Sequence, residues 1–263
     1  MRALIDGDPL VYICGFASES SYYATDDGMI HATAGQAKDH CHKFDIDHNL
    51  TERVVEPEPI ENTLHLVKNI LTKIDSRVHV TDKRSFLSGD TNFREDIATI
   101  RPYKGNRPDR KPFHYKEIRE YLINVHKATV VEGFEADDAL GIEHEMGKSV
   151  ICTIDKDLDM VAGLHYNYQK DKLYDVDEIT ALKNFYMQLL TGDTTDNIRG
   201  VPNIGKVKAR NIIGKLRTEE EMYWDTLREY CKTHDKPYDA LLENARLLYI
   251  LREYPIKLWE PPV

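Results

Sequence analysis

Carboxylates dominate the parts of this chain whose spacing could do chemistry. "LIDGD" (4–8), "SFLSGD" (85–90), "EGFEADDALG" (132–141), "TIDKDLDM" (153–160) and "TGDTTDN" (191–197) each set Asp or Glu beside short apolar runs. Like charges packed together raise one another's pKa, so they must point into water or be neutralised. A single Asp at a strand end or helix start is an ordinary turn or cap residue, and Asp138, Asp159 and Asp177 are read that way. Capping needs one carboxylate per helix, whereas "EADD" and "DKDLD" supply several. Asp6, Asp90, Glu135, Asp137, Asp155, Asp157, Asp193 and Asp196, with few His or Cys nearby, read as a hard-cation site suited to Mg²⁺ or Mn²⁺. Two such ions about 4 Å apart can clamp the attacking and leaving oxygens of a phosphodiester and generate hydroxide at neutral pH.

Two cationic stretches accompany them. "FREDIATIRPYKGNRPDRK" (93–111) carries Arg94, Arg101, Lys104, Arg107, Arg110 and Lys111 in a chain whose formal net charge is −10. Such residues bind phosphates without reading bases. A solvated loop is the usual fate of a charge run. Tyr103 beside Lys104 favours function, because an aromatic can stack on a base while the lysine reaches a phosphate. In "GVPNIGKVKARNIIG" (200–214), Gly200 and Gly205 flank a tight turn before a helix bearing Lys206, Lys208 and Arg210. Glycine lets a turn aim N–H groups at an anion, and the helix N-terminus adds its dipole. A plain helix-packing corner is the alternative; adjacency to "GDTTDN" weighs against it. His31, His40, Cys41, His42 and His48 fall in a polar, weakly periodic stretch (18–58) with no standard zinc spacing, so it reads as a surface excursion.

The elements that must position these groups follow from periodicity. Strands are expected at 2–6, in "RVHVT" and "RSFLSG" around 77–89, at 128–133 and at 148–155. Helices are expected at 9–19, 60–74, 115–126 and 135–146, and the chain reads as helical from about 177 to its end apart from the glycine turn. Strands alternating with helices predict a mostly parallel twisted sheet flanked by helices, with functional groups at the strands' carboxyl ends. The 263 residues and 41% apolar content suit one large domain with an appendage. Four scattered cysteines without a C-x-x-C pair, no signal peptide and no membrane-length run lead to the expectation of a reduced, cytoplasmic protein.

Taken together, "LIDGD", "FREDIATIRPYKGNR", "EGFEADDALG", "TIDKDLD" and "GDTTDNIRGVPNIGKVKA" resemble the motifs of the 5′ nucleases, in that family's order and across most of residues 1–215. That family comprises flap endonucleases, the 5′-nuclease domain of bacterial DNA polymerases and bacteriophage 5′→3′ exonucleases; the closing "YPIKLWEPP" points to the phage members. The resemblance implies a PIN-like α/β nuclease core over 1–190, with a polar insertion (18–58) and a basic strip and reduced arch (101–127). It implies a helical DNA-binding region over 191–263 carrying a helix–three-turn–helix motif, often with a K⁺ ion. Asp6, Asp90, Glu135, Asp137 and Asp155 would surround one metal, and Asp157, Asp193 and Asp196 would complete the second, with Asp155 near both. Lys104 and Arg107 would contact the scissile phosphate, Tyr103 the unpaired terminal base, and Gly200–Gly205 the duplex. Arg94, Arg110 and Lys111 join the nucleic-acid-binding set.

The implied activity is divalent-metal-dependent 5′→3′ exonucleolysis at duplex 5′ ends, with flap cleavage or RNA-primer removal as variants. It would be carried out by a monomer acting on DNA or an RNA–DNA hybrid in a phage-infected host. The alternatives are an inactive structure-specific DNA-binding protein and a ribonuclease of the related PIN-like fold.

Overall fold

The chain alternates strands and helices from its first residues. The computed structural model describes residues 1–80, 82–108 and 110–262, and of Leu50 the backbone alone. In order these form β1 (Arg2–Asp6), α1 (Gly7–Ala17), β2 (Glu19–Ala24), β3 (Ile30–His31), α2 (Ala34–Phe44), β4 (Glu52–Pro57) and α3 (Ile60–Val78). Next come β5 (Asp82–Asn92), α4 (Phe93–Ile97), α5 (Tyr115–Asn124), β6 (Thr129–Gly133), α6 (Ala136–Glu145) and β7 (Ser149–Cys152). They are followed by β8 (Gly163–Asn167), β9 (Lys172–Val176), α7 (Glu178–Thr191), β10 (Gly192–Asp193) and β11 (Ile198–Arg199). Finally α8 (Lys206–Ile213), α9 (Glu219–Cys231) and α10 (Pro237–Leu248) precede an irregular tail.

Two compact units emerge: residues 1–9, 71–109 and 122–263, and residues 10–70 with 110–121. The break expected at 190/191 coincides with none of the four breaks between them.

The larger unit is built on a six-stranded sheet of order β6-β5-β1-β7-β8-β9, parallel except for β9 against β8. β1 is central and apolar because both its faces are covered: Ala3, Leu4 and Ile5 are fully buried. Leu4 and Ile5 each contribute roughly 1.5–3 kcal/mol by this burial. Gly7 follows at once, and a Cβ there would meet the Phe86 carbonyl at 2.6 Å. α7 buries Ala181, Phe185, Tyr186, Leu189 and Leu190 at helical spacing, and Tyr230 Oη ties α9 to it by donating to the Leu189 carbonyl at 2.8 Å.

The smaller unit holds the stretch read as a surface excursion, and it carries regular structure. β3-β2-β4 form an antiparallel sheet. α2 is opened by a Thr33–Gln36 capping box and closed by Asp45 in the left-handed region. Its strands escaped periodicity because "ESSYYA" and "ERVVEP" are half-exposed on both faces.

Other expectations shift as well. Arg77 and Val78 of "RVHVT" belong to α3, and Thr81 lies outside the described residues. The strand expected at 148–155 stops at Cys152. The β8–β9 hairpin was not anticipated, since "GLHYN" buries a histidine, His165, where a strand pattern wants an aliphatic.

Candidate active site

Parallel strands deliver their carboxyl ends to one sheet edge, and the acidic motifs follow those ends. β1 ends in Asp6, β6 leads to Glu135 and Asp137 at the start of α6, and β7 leads through Thr153 to Asp155 and Asp157. The turn after α7 brings Asp193 and Asp196. These groups gather around a cavity of about 290 Å³ whose lining includes Glu135, Asp137, Asp155, Asp157, Asp193 and Asp196, together with Tyr103, Lys104, Arg107 and Lys156.

The floor is electrostatically incomplete. Asp6 is 2% exposed. Its Oδ2 accepts from Thr153 Oγ1 at 2.8 Å, while its buried Oδ1 has no partner among the described residues. Burial, then Asp8 and Asp155, push its carboxyl well above the ordinary range. Asp137 is raised likewise by burial, Asp6, Asp155 and Glu135, against the pull of Lys104. Burial and Asp155 bring Asp157 up to about 6.

The rim is occupied by protein cations and turn N–H groups. Glu135 pairs with Lys104, and Asp196 with Arg107 at 2.5 Å. Asp193 accepts the Thr195 and Asp196 N–H groups at 2.7 and 3.3 Å and Gln188 Nε2 at 3.0 Å. Burial works against its charge, and these bonds hold its pKa below the usual value. Among the described residues no three His, Cys, Asp or Glu side chains stand as a ready cage for a metal ion. The donor chemistry nevertheless fits a hard cation. The groups are all carboxylates, one buried oxygen lacks a partner, and the floor is short of positive charge.

Several residues named from the sequence have other roles. Asp90 is exposed and does not line the cavity. A register shift of β5 against β6 between Ser88 and Asn92 interrupts the alternation there, and the Asp90 N–H donates to Glu132 at 3.1 Å. Asp8, missed from the sequence, borders the floor instead: it raises Asp6 and accepts the Ser88 N–H at 3.0 Å. "LIDGD" held that signal, since a second Asp after a strand falls in the first turn of the next helix.

Arg94 is not a surface phosphate ligand; it is 3% exposed and bound bidentately to Asp138 at 2.6 and 2.9 Å. Tyr103 offers no ring for base stacking. The ring lies in the core at 9% exposure, and its hydroxyl sits 2.9 Å from Glu135 and 3.0 Å from Asp196.

Arg110 and Lys111 are exposed in the smaller unit, each over an aromatic ring, Phe16 at 5.1 Å and Tyr115 at 4.9 Å. Lys206, Lys208 and Arg210 are exposed on α8. Gly200 is required by close approach and not by a left-handed φ, because its Cβ would meet the Gly192 nitrogen at 2.3 Å. Gly205 has open space around it and an extended backbone. Asp177 caps α7 as expected, accepting the Thr180 N–H at 2.8 Å. Asp159 accepts instead from Tyr174 Oη at 2.7 Å.

No protein-family model matches the chain. It is 27% identical over 206 residues to DNA polymerase I of Bacillus caldotenax, covering 66% of this chain and 23% of that protein. It is 31% identical over 156 residues to a 5′-3′ exonuclease of Buchnera aphidicola, covering 52% of this chain and 54% of that one. The chain thus spans about a quarter of the polymerase and about half of the exonuclease. In fold it resembles the bacteriophage T5 5′-exonuclease with zinc bound, at TM-score 0.57 and 15% identity over 94% of this chain and 89% of that one. It also resembles the T5 flap endonuclease in a complex with DNA and metal ions, at TM-score 0.55 and 16% identity over 94% and 85%. In sequence the chain is thus similar to a 5′-3′ exonuclease and to DNA polymerase I, and in fold to the T5 5′-exonuclease.

Proposed function

We propose that the chain is a divalent-metal-dependent 5′ nuclease that hydrolyses phosphodiester bonds near 5′ ends of DNA, preferring exonucleolytic action on duplex ends. One observation carries this reading: six carboxylates line a single cavity with Lys104 and Arg107, and two of them, Asp137 and Asp155, interact with buried Asp6, whose Oδ1 has no partner among the described residues.

Asp6, Glu135, Asp137 and Asp155 would hold one Mg²⁺ or Mn²⁺, and Asp157, Asp193 and Asp196 a second. Asp90 is left out and Asp8 supports Asp6. Bound ions supply a water of lowered pKa and positive charge at the phosphate. Lys104 and Arg107 then exchange their carboxylate partners for phosphate oxygens and stabilise the charge that develops there. Tyr103 Oη keeps Glu135 and Asp196 in place. Arg110 and Lys111, with the rings beneath them, suit an unpaired strand.

The α8 N-terminus with Gly205, Lys206, Lys208 and Arg210 suits a duplex backbone, as one half of a helix–three-turn–helix motif with a K⁺ ion nearby. We extend the reading to RNA–DNA hybrids as substrates, to action as a monomer and to phage-type replication.

The test uses 5′-labelled blunt duplex, nicked duplex, double-flap DNA and an RNA–DNA hybrid, with Mg²⁺ titrated from zero. Release of 5′ products that requires the ion and stops with EDTA is expected. DNA binding without cleavage at any Mg²⁺ or Mn²⁺ concentration would leave a binding protein only. Strong preference for a long flap over a blunt end would replace the exonuclease assignment.

A further inference from the structure

Arg94 and Asp138 form a buried ion pair whose contacts reach three parts of the larger unit. The guanidinium meets both carboxylate oxygens of Asp138. Its Nε donates to the Leu247 carbonyl at 2.8 Å and its Nη2 to the Tyr249 carbonyl at 2.8 Å. Asp138 also accepts the Leu251 N–H at 2.9 Å and the Glu135 N–H at 3.0 Å. One buried ion pair therefore joins α4, the first turn of α6 and the chain leaving α10.

Those are the pieces that frame the cavity. Glu135 and Asp137 flank Asp138, with Glu135 as the N-cap of α6. Leu247, Leu248 and Ile250 line the same cavity. Arg94 Nη1 also stands 3.9 Å from Glu135 Oε2. The fork geometry of guanidinium on carboxylate fixes direction as well as distance, which an ammonium cannot do.

We infer that Arg94 is a positioning residue of the active site: through Asp138 it holds Glu135 and Asp137 in register with the cavity-lining residues Leu247, Leu248 and Ile250. It does so without touching substrate. This rests on the 5′-nuclease reading above. It also makes the chain beyond α10 part of the active-site architecture.

The experiment compares wild type with Arg94→Lys in the full chain. Wild type is assayed first: if it releases no 5′ products with Mg²⁺ or Mn²⁺, the nuclease reading fails and the positioning role, which rests on it, falls with it. Given wild-type cleavage, Arg94→Lys should lose about 100-fold in kcat with KM little changed, because displacement of the reacting groups by about an ångström has that effect. The Mg²⁺ concentration for half-maximal rate should rise about 10- to 100-fold, as when an outer partner of a metal ligand is removed. DNA affinity in EDTA, and its dependence on salt, should stay as in wild type. A phosphate contact would instead lower the slope of log affinity against log salt by about one.

Should Arg94→Lys fail to fold, the paired Arg94→Met/Asp138→Leu variant removes both charges at similar volume and is expected to fold. It should show the same loss of kcat. Either variant, folded and turning over at the wild-type rate and Mg²⁺ requirement, would overturn the assignment; so would a fall in the salt slope.

Discussion

Asp137 and Asp138 are neighbours in the first turn of one helix, yet they meet opposite electrostatic fates. Asp138 is fully buried and held by a guanidinium fork and two backbone N–H groups. Asp137 faces Asp6, Asp155 and Glu135, with Lys104 as its opposing influence, and its carboxyl is pushed well up. The helix turns about 100° per residue, so one side chain enters the fold and the next enters the cavity. The contrast separates two uses of buried charge. A closed pair fixes geometry, whereas an open cluster stores a demand for a cation.

The widest test of that contrast is stability. Asp138→Ala leaves Arg94 buried without its partner and should cost about 3–5 kcal/mol in urea unfolding. Asp137→Asn removes a carboxylate from a like-charged cluster and should leave the metal-free protein as stable, or more stable by about 1 kcal/mol. Equal losses from the two substitutions would erase the distinction.

The next test moves to the rim, whose pairs are only half-buried. Lys104 and Arg107 neutralise Glu135 and Asp196 in the resting protein. Lys104→Ala should lower kcat about 100- to 1000-fold, the usual effect of removing one group that stabilises transition-state charge. DNA affinity should change far less. An unaltered kcat would return Lys104 to the role of a surface ion pair.

The same contrast explains what the sequence made legible. Carboxylates that follow parallel strands must reach one edge, so Asp6, Glu135, Asp137, Asp155 and Asp157 could be named from order alone. Arg94 and Tyr103 could not be assigned correctly, because their burial depends on the α10 exit and on packing far along the chain. Local sequence showed a basic strip and nothing of what covers it. Asp90 was misread because an irregular β5–β6 register is invisible to alternation. The sheet order was foreseeable as parallel, while the β8–β9 hairpin and the small β2-β3-β4 sheet lacked a clean period-2 pattern.

A smaller effect should appear in the pH dependence of the metal-free protein. Asp157 titrates near 6 in the fold, above the ordinary carboxyl value, because burial and Asp155 disfavour its charge. The folded state therefore holds more protons than the unfolded state, and this residue's contribution falls as pH rises from about 4 through 6. Half-buried His144 and buried His165, lowered by desolvation, act in the opposite sense. The quantity to read is thus the difference between wild type and Asp157→Asn, where the histidines cancel. That difference should shift against wild type by roughly 2–3 kcal/mol between pH 4 and 7. Saturating Mg²⁺ should reverse it, since an ion bound only by the folded state stabilises that state by mass action. A difference independent of both pH and Mg²⁺ would mean that the floor holds no unmet charge.

The finest probe lies where the open cluster borrows a neutral partner. Thr153 Oγ1 donates to Asp6 at 2.8 Å and accepts the Asp155 N–H at 2.9 Å, so one hydroxyl links the buried Asp6 carboxylate to the turn that carries Asp155. Thr153→Val keeps the shape and removes both bonds. Since Asp6 Oδ1 has no partner among the described residues, the substitution leaves the Asp6 carboxyl without a side-chain donor among them and should cost about 1–2 kcal/mol. The loss should shrink when Mg²⁺ is present, because a cation at Asp6 replaces the missing donor. Thr153→Ser, which retains the hydroxyl, should recover most of the stability. If Val and Ser behave alike, Asp6 draws its support from elsewhere, and the hydroxyl link is a by-product of the turn after β7.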